Sequence, residues 1–72
     1  MISTLPPKIG DFIIEDGKSY LLMKIVKQWV FPSKLWAMNV KCLTESGIVI
    51  DTTFGEIFVR SGKLLIVRCK NK

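Results

Sequence analysis

The sequence predicts an all-β domain, a small five- or six-stranded barrel, and three observations support this fold class. Turn signals centred on glycine recur at short intervals along the 72 residues. Between them lie short segments rich in β-branched and aromatic residues, several with an apolar residue at every second position. No segment sustains the i, i+3, i+4 apolar spacing of an amphipathic helix.

The length of the chain sets the number of domains. A chain of 72 residues is near the size at which a hydrophobic core becomes marginal, since it buries only about 60% of the unfolded surface. Pro6 and Pro7 disfavour both helix and central strand. We therefore expect an extended arm over residues 1–7 and one barrel domain over residues 8–72.

The first two strands form a predicted hairpin. The apolar run 12–14 and the segment 19–27 are joined by Asp16 and Gly17, a pair that suits the positive φ values of a two-residue turn. Apolar residues occupy both parities of the second segment. This strand is therefore covered on both faces, or it bends and changes sheets as barrel strands do.

The pattern is interrupted over residues 28–34. Pro32 favours a turn there. We therefore expect Trp29, Val30 and Phe31 to lie in a loop of unusual aromatic content.

The next two strands form a hairpin over residues 35–53. A turn over residues 44–47 separates them, and the β-branched residues of 48–53 suit a pleated strand. Period-two alternation divides the third strand into two faces. The predicted core face carries Trp36, Met38, Val40 and Cys42, and the other face carries Ala37, Asn39 and Lys41.

The C-terminal part contains two further segments. Residues 56–60 lie between Gly55 and a turn over 61–63, and we favour a short strand over a single helical turn. A final strand covers residues 64–70. Its alternation places Leu65, Val67 and Cys69 on one face and Ile66, Arg68 and Lys70 on the other.

Residues 9–26 carry a family resemblance. A Gly10-Asp11 pair precedes the first strand, and a Gly17-Lys18 turn leads into the apolar second strand. In this respect the chain resembles SH3-like and Tudor-like small β-barrels. Such barrels act as adaptors for nucleic acid, peptides or polymerase subunits, so the resemblance implies a binding module without choosing its ligand. The compact, apolar single domain also resembles small phage or plasmid proteins.

The charge and the apolar content both suggest partners. Eleven Lys and Arg against six Asp and Glu give a net charge of +5, which favours anionic partners. Hydrophobic residues make up 49% of the chain, and the interior of a small barrel is limited. Some apolar side chains are therefore expected outside, at a docking surface or an oligomer contact, although scattered exposed apolar residues are also normal.

The chemistry of the sequence predicts no enzyme. Histidine is absent, which removes the commonest general base and metal ligand. Cys42 and Cys69 lack the spacing of a zinc site, and we expect two reduced thiols, with a disulfide as the alternative. The glycines form no phosphate-binding loop, and no cofactor or small-molecule substrate is expected. Asp51, a carboxylate inside a predicted strand, is expected to pair with Lys41.

The sequence also predicts a location. No apolar signal region precedes Pro6, and the apolar run 20–23 is far shorter than a bilayer span. We therefore expect a cytoplasmic protein without membrane contact.

The candidate binding segment is 27–36, where positive charge and aromatic rings alternate. Lysines neutralise phosphates and aromatic faces stack on unpaired bases, so this mixture suits nucleic acid. Trp29 is also the kind of residue that anchors protein interfaces, and a third interpretation makes it a lid on the core. The candidate partner-binding residues are Lys27, Trp29, Phe31, Lys34, Arg68 and Lys70.

Three functions remain open at this stage. The leading hypothesis is a non-enzymatic adaptor that docks on a larger cytoplasmic protein or assembly. The alternative is a nucleic-acid-binding barrel that uses a basic surface and aromatic stacking. The third is a homo-oligomer formed by pairing of strand edges.

Overall fold

Antiparallel β-structure dominates the computed structural model, which describes residues 5–68 of the chain. One sheet contains five strands, and one short helix accompanies it. The elements in chain order are β1 (Phe12–Glu15), β2 (Lys18–Val30), β3 (Trp36–Thr44), β4 (Val49–Gly55), α1 (Glu56–Arg60) and β5 (Leu64–Val67).

The strand order across the sheet is β4-β3-β2-β1-β5. Every neighbouring pair is antiparallel. Between the edge strands β4 and β5 no ladder forms within residues 5–68, so the sheet is open there. Helix α1 contacts both edge strands. The predicted β-fold is confirmed, whereas closure of the sheet into a barrel is not observed.

Both predicted hairpins are present. In the β1–β2 turn, Asp16 and Gly17 have φ values of 54° and 76°, the positive pair that a two-residue hairpin turn requires. In the β3–β4 turn, the Thr44 N–H donates to the Ile48 carbonyl at 2.8 Å. Local turn chemistry therefore sets the register of both hairpins.

Strand β2 is longer than predicted. The expectation that Trp29 and Val30 lie in a loop is wrong, because they pair with Ala37 and Trp36 of β3. The turn begins only at Phe31.

A tight turn over residues 31–35 explains this difference. The Phe31 N–H donates to the Leu35 carbonyl at 2.9 Å, and the Lys34 N–H donates to the Phe31 carbonyl at 2.7 Å. Pro32, which has no N–H, lies within this turn and removes no ladder hydrogen bond. The ladder therefore continues up to Val30.

Two irregularities bend β2. The β2–β3 register shifts between Leu22 and Lys24 and again between Ile25 and Lys27. The extra residues Met23 and Val26 are exposed. Bulges increase the local bend and twist of a strand, so they account for apolar residues on both parities of this segment.

The core lies on one face of the curved sheet. The four β3 residues predicted to face it are all buried. Trp36 contacts Phe54 edge to face, with ring centroids 6.2 Å apart. The core cluster consists of Ile13, Leu22, Trp36, Met38, Val40, Cys42, Phe54, Val59 and Leu64.

Cys42 carries a free, buried thiol. Desolvation raises its pKa above the ordinary value, which keeps it protonated and unreactive at neutral pH. Cys69 lies outside the described residues.

Residues Glu56–Arg60 form helix α1, so the predicted strand is wrong. The Glu56 carboxylate pairs with Arg60 at 2.9 Å in the i, i+4 relation that stabilises a helical turn. The same carboxylate accepts a hydrogen bond from the Trp36 N–H at 3.3 Å. These contacts outweigh the strand preference of the β-branched and aromatic residues between them. Gly62, with φ of 82°, follows the helix.

Candidate functional site

The face of the sheet opposite the core, here called the outer face, holds the candidate site. Side chains alternate between the two faces along each strand. The register therefore shows which outer side chains are neighbours on adjacent strands.

A continuous row of apolar side chains crosses the outer face. Val67 is opposite Phe12, and Phe12 is opposite Leu21. Leu21 is opposite Leu43, and Leu43 is opposite Val49. These five residues, one from each strand, form the outer apolar row.

The outer apolar row is open to solvent. The exposed fractions of Phe12, Val49 and Val67 are 43%, 52% and 42%, while Leu21 and Leu43 are half-buried. Four inter-strand spacings of about 4.8 Å give the row a length of about 19 Å. It is a narrow stripe of apolar side chains, one from each strand.

One flank of the row is polar and basic. Lys24 is opposite Lys41, and Lys41 is opposite Asp51. The Lys41 ammonium lies 2.7 Å from the Asp51 carboxylate, which confirms the predicted cross-strand pair. In the next row, Lys27 is opposite Asn39.

Two lysines of this flank, Lys24 and Lys27, form no ion pair with another residue of the described range 5–68. The ion pairs found within residues 5–68 join Lys41 to Asp51, Glu56 to Arg60, and Asp11 to Arg68. Within that range, neither Lys24 nor Lys27 has a carboxylate within 4.0 Å. Both residues are exposed to solvent.

An aromatic pair lies beyond the lysines on the same face. Trp29 is opposite Ala37, which is opposite Gly55. The Trp29 and Phe31 rings meet edge to face with centroids 6.2 Å apart, and the Lys27 ammonium lies 5.9 Å from the Trp29 ring centroid. Trp29 is half-buried on the outer face, whereas Trp36 is the tryptophan of the core.

The predicted site residues fall into separate groups. Lys27, Trp29 and Phe31 form one cluster, and Lys34 is exposed in the adjoining turn. Lys70 lies outside the described residues. The register does not place Arg68 beside this cluster, because Arg68 follows β5, whose neighbour β1 pairs with the opposite end of β2.

Arg68 instead contacts the chain that precedes β1. Its guanidinium donates to the carbonyls of Pro6 at 3.0 Å and Leu5 at 2.6 Å. It also lies 3.8 Å from the Asp11 carboxylate. These contacts join the N-terminal segment to the end of β5.

Sequence reasoning missed the outer apolar row and Lys24. The signal was present, since β2 has apolar residues on both parities and residues 12–14 are all apolar. Recognising the row required the register of four strand pairs, which the bulges in β2 shift by one residue each.

The part of the chain that the structure describes holds neither a metal-binding cluster nor a helix that could cross a membrane. No group of three or more His, Cys, Asp or Glu residues is placed to hold a metal ion there. Among the same residues, no helix has the length and apolar character needed to cross a bilayer.

Comparisons with known proteins gave no match. No protein-family model matches the chain, and neither a curated protein nor a solved structure shows significant similarity to it.

Proposed function

We propose that this chain is a non-enzymatic interaction module that docks on a larger cytoplasmic protein or assembly through the outer face of its sheet. The observation that carries the proposal is the outer apolar row, which is continuous over all five strands. A fully buried Val, Leu or Phe side chain contributes about 1.5–3 kcal/mol. The exposed portions of Phe12, Val49 and Val67 therefore represent roughly 1 kcal/mol each on docking.

We further propose that the sheet is an open form of the SH3-like barrel. The Gly10-Asp11 pair before β1 and the two bulges in β2 support this assignment. Helix α1 connects the edge strands β4 and β5 and contacts both of them. Adaptor roles are common for this fold class, which agrees with docking but does not select the partner.

Polar substitution in the outer apolar row is expected to weaken docking. In Phe12→Thr/Val49→Thr, two exposed apolar side chains become polar in residues that still suit a strand. A loss of about 2 kcal/mol corresponds to about 30-fold weaker binding. The measurement is cross-linking and affinity purification from the native cell, with nuclease treatment of every sample.

The matched control is Val26→Thr/Ile48→Thr, which makes the same kind of change at exposed residues outside the row. We expect partner proteins to be recovered with the wild type and with the control, but not with the row variant. Equal recovery with all three proteins would contradict docking through the row.

A second candidate function is binding of single-stranded nucleic acid at the aromatic end of the outer face. The observation that favours it is the Lys27 ammonium beside the Trp29 ring, with exposed Lys24 and Lys34 nearby in the chain. Phosphates would contact the lysines, and bases would stack on Trp29 or Phe31.

This alternative makes a separate prediction for Trp29. If it holds, Trp29→Ala should lose about 1–3 kcal/mol of stacking, and affinity should fall steeply with added salt. The measurement is a titration with short random oligonucleotides at low and moderate salt, using wild type and Trp29→Ala. Binding that depends on salt but not on Trp29 would reduce the interaction to nonspecific charge attraction, and no binding at low salt would exclude the alternative.

A further inference from the structure

The two flanks of the outer apolar row differ in charge. One flank carries the lysines Lys24 and Lys27. On the other flank, the Ser19 N–H donates to the Glu45 carboxylate at 2.9 Å, so this side holds a carboxylate. Lys18 lies opposite Glu15 at this end as well, so carboxylates offset the lysine here. Among residues 5–68, Lys24 and Lys27 therefore give the other side of the row the greater positive charge.

We propose that the occupant of the outer apolar row is an amphipathic helix of a partner protein, with acidic residues along one edge of its apolar stripe. This inference rests on the proposed docking function and specifies its partner. The acidic edge lies beside Lys24, the lysine nearer the row, with Lys27 one residue row further along β2, and the apolar stripe lies on the row.

The shape of the row favours a helix. Each strand contributes one side chain to the row, and a second apolar pair, Ile14 opposite Leu65, adjoins it at the β1–β5 edge. Met23 of the first β2 bulge is another exposed apolar residue near the row. An amphipathic helix presents a linear apolar stripe of this kind. At a rise of 1.5 Å per residue, about 13 residues cover its length of about 19 Å.

The charges favour an acidic edge. Lys41 is already paired with Asp51, whereas the exposed Lys24 faces Lys41 across the strands. Like charges at directly opposed positions are unfavourable. A partner carboxylate near Lys24 relieves this repulsion and, once water is excluded, forms charge-assisted hydrogen bonds.

Two other occupants fit the same surface less well. A second copy of the chain brings together two molecules that each carry a net charge of +5, which opposes association. Nucleic acid meets only one aromatic ring in the row, Phe12, and four aliphatic side chains that offer no stacking surface.

The test uses two synthetic helical peptides of about 18 residues, long enough for about five turns. Both have the same leucine face, with glutamates along its edge in one peptide and lysines in the other. Fluorescence anisotropy of labelled peptide measures binding to the whole protein at low and moderate salt. We expect the acidic peptide to bind at least about 10-fold more tightly, a difference of about 1.4 kcal/mol, and to weaken as salt is added.

Two variants and one control locate the binding. Lys24→Gln/Lys27→Gln is expected to lower affinity for the acidic peptide about 10-fold, which is about 1.4 kcal/mol. The control Lys18→Gln/Lys63→Gln removes the same charge elsewhere and is expected to retain most of the affinity. Phe12→Thr/Val49→Thr is expected to lose the acidic peptide. Circular dichroism confirms that each variant is folded.

Each other outcome overturns the inference. Equal binding of both peptides, lost in the row variant, would leave docking intact and exclude the acidic edge. A dimer in sedimentation that the row variant dissociates would make a second copy the occupant, and displacement of the acidic peptide by an oligonucleotide would favour nucleic acid. If neither peptide binds, the inference of an acidic helical partner is also wrong. Failure of the docking function itself has a different sign: the row variant would still recover the native partners.

Discussion

Val40→Asp is expected to unfold the domain, whereas Lys41→Asp is expected to leave it folded. Val40 is 1% exposed and lies on the core face between β2 and β4. A carboxylate there has no cationic partner on the core face of β3 and loses its hydration, at a cost of several kcal/mol. Small domains have only about 5–15 kcal/mol of stability in total, so this cost is sufficient for unfolding.

The matched variant tests the alternation of faces. Lys41 lies on the outer face, where its pair with Asp51 is partly exposed and contributes about 1 kcal/mol or less. A new carboxylate at this position repels Asp51 but faces Lys24. Urea denaturation monitored by circular dichroism measures the free energy of unfolding of both variants. Equal losses of stability would show that the β3 register is wrong.

Glu56→Ala is expected to lower the free energy of unfolding by about 2–3 kcal/mol. The Glu56 carboxylate is buried, and it joins α1 to the first residue of β3 through the Trp36 N–H. Alanine leaves this N–H without that acceptor and breaks the contact with Arg60. Glu56→Ala is therefore expected to lower the free energy of unfolding more than the loss of an exposed ion pair would.

Glu56→Gln separates the two contributions. The amide oxygen still accepts from the Trp36 N–H, while the ionic part of the Arg60 contact is lost. We therefore expect a loss of about 1 kcal/mol for Glu56→Gln, measured as urea midpoints under the same conditions. If glutamine were as destabilising as alanine, the hydrogen bond to β3 would not be the main contribution.

Local patterns predict part of this fold well. The hairpin over residues 35–53 follows from alternation along β3, and the first turn follows from the Asp16-Gly17 pair. Both depend on short-range chemistry that the sequence displays directly.

Two elements differ from the sequence prediction, one because of a tertiary contact and the other because of a tight local turn. Residues 57–59 favour a strand by propensity, but the contacts of Glu56 with Arg60 and with the Trp36 N–H support a helical turn instead. Trp29 and Val30 were assigned to a loop because of Pro32, whose turn is tight enough to let the ladder reach Val30.

The candidate site was predictable only in part. Lys27, Trp29 and Phe31 were expected together in one binding segment and do form a cluster, although Trp29 lies in strand β2 rather than in a loop. Arg68 resembled a surface cation in the sequence, yet its guanidinium binds carbonyls sixty or more positions earlier in the chain. Such long-range contacts and the cross-strand register of the outer apolar row have no local signature.

The most direct test of the outer face as the docking surface is a methyl NMR titration of the protein with the acidic helical peptide. The predicted result is that methyl signals from the outer face shift progressively, while methyl signals from the core face stay nearly unchanged. Shifts confined to the 31–35 turn, or equal shifts on both faces, would contradict docking on the outer face. The outer methyl groups belong to Leu21, Leu43, Val49 and Val67, and the core-facing ones to Leu22, Val40 and Leu64.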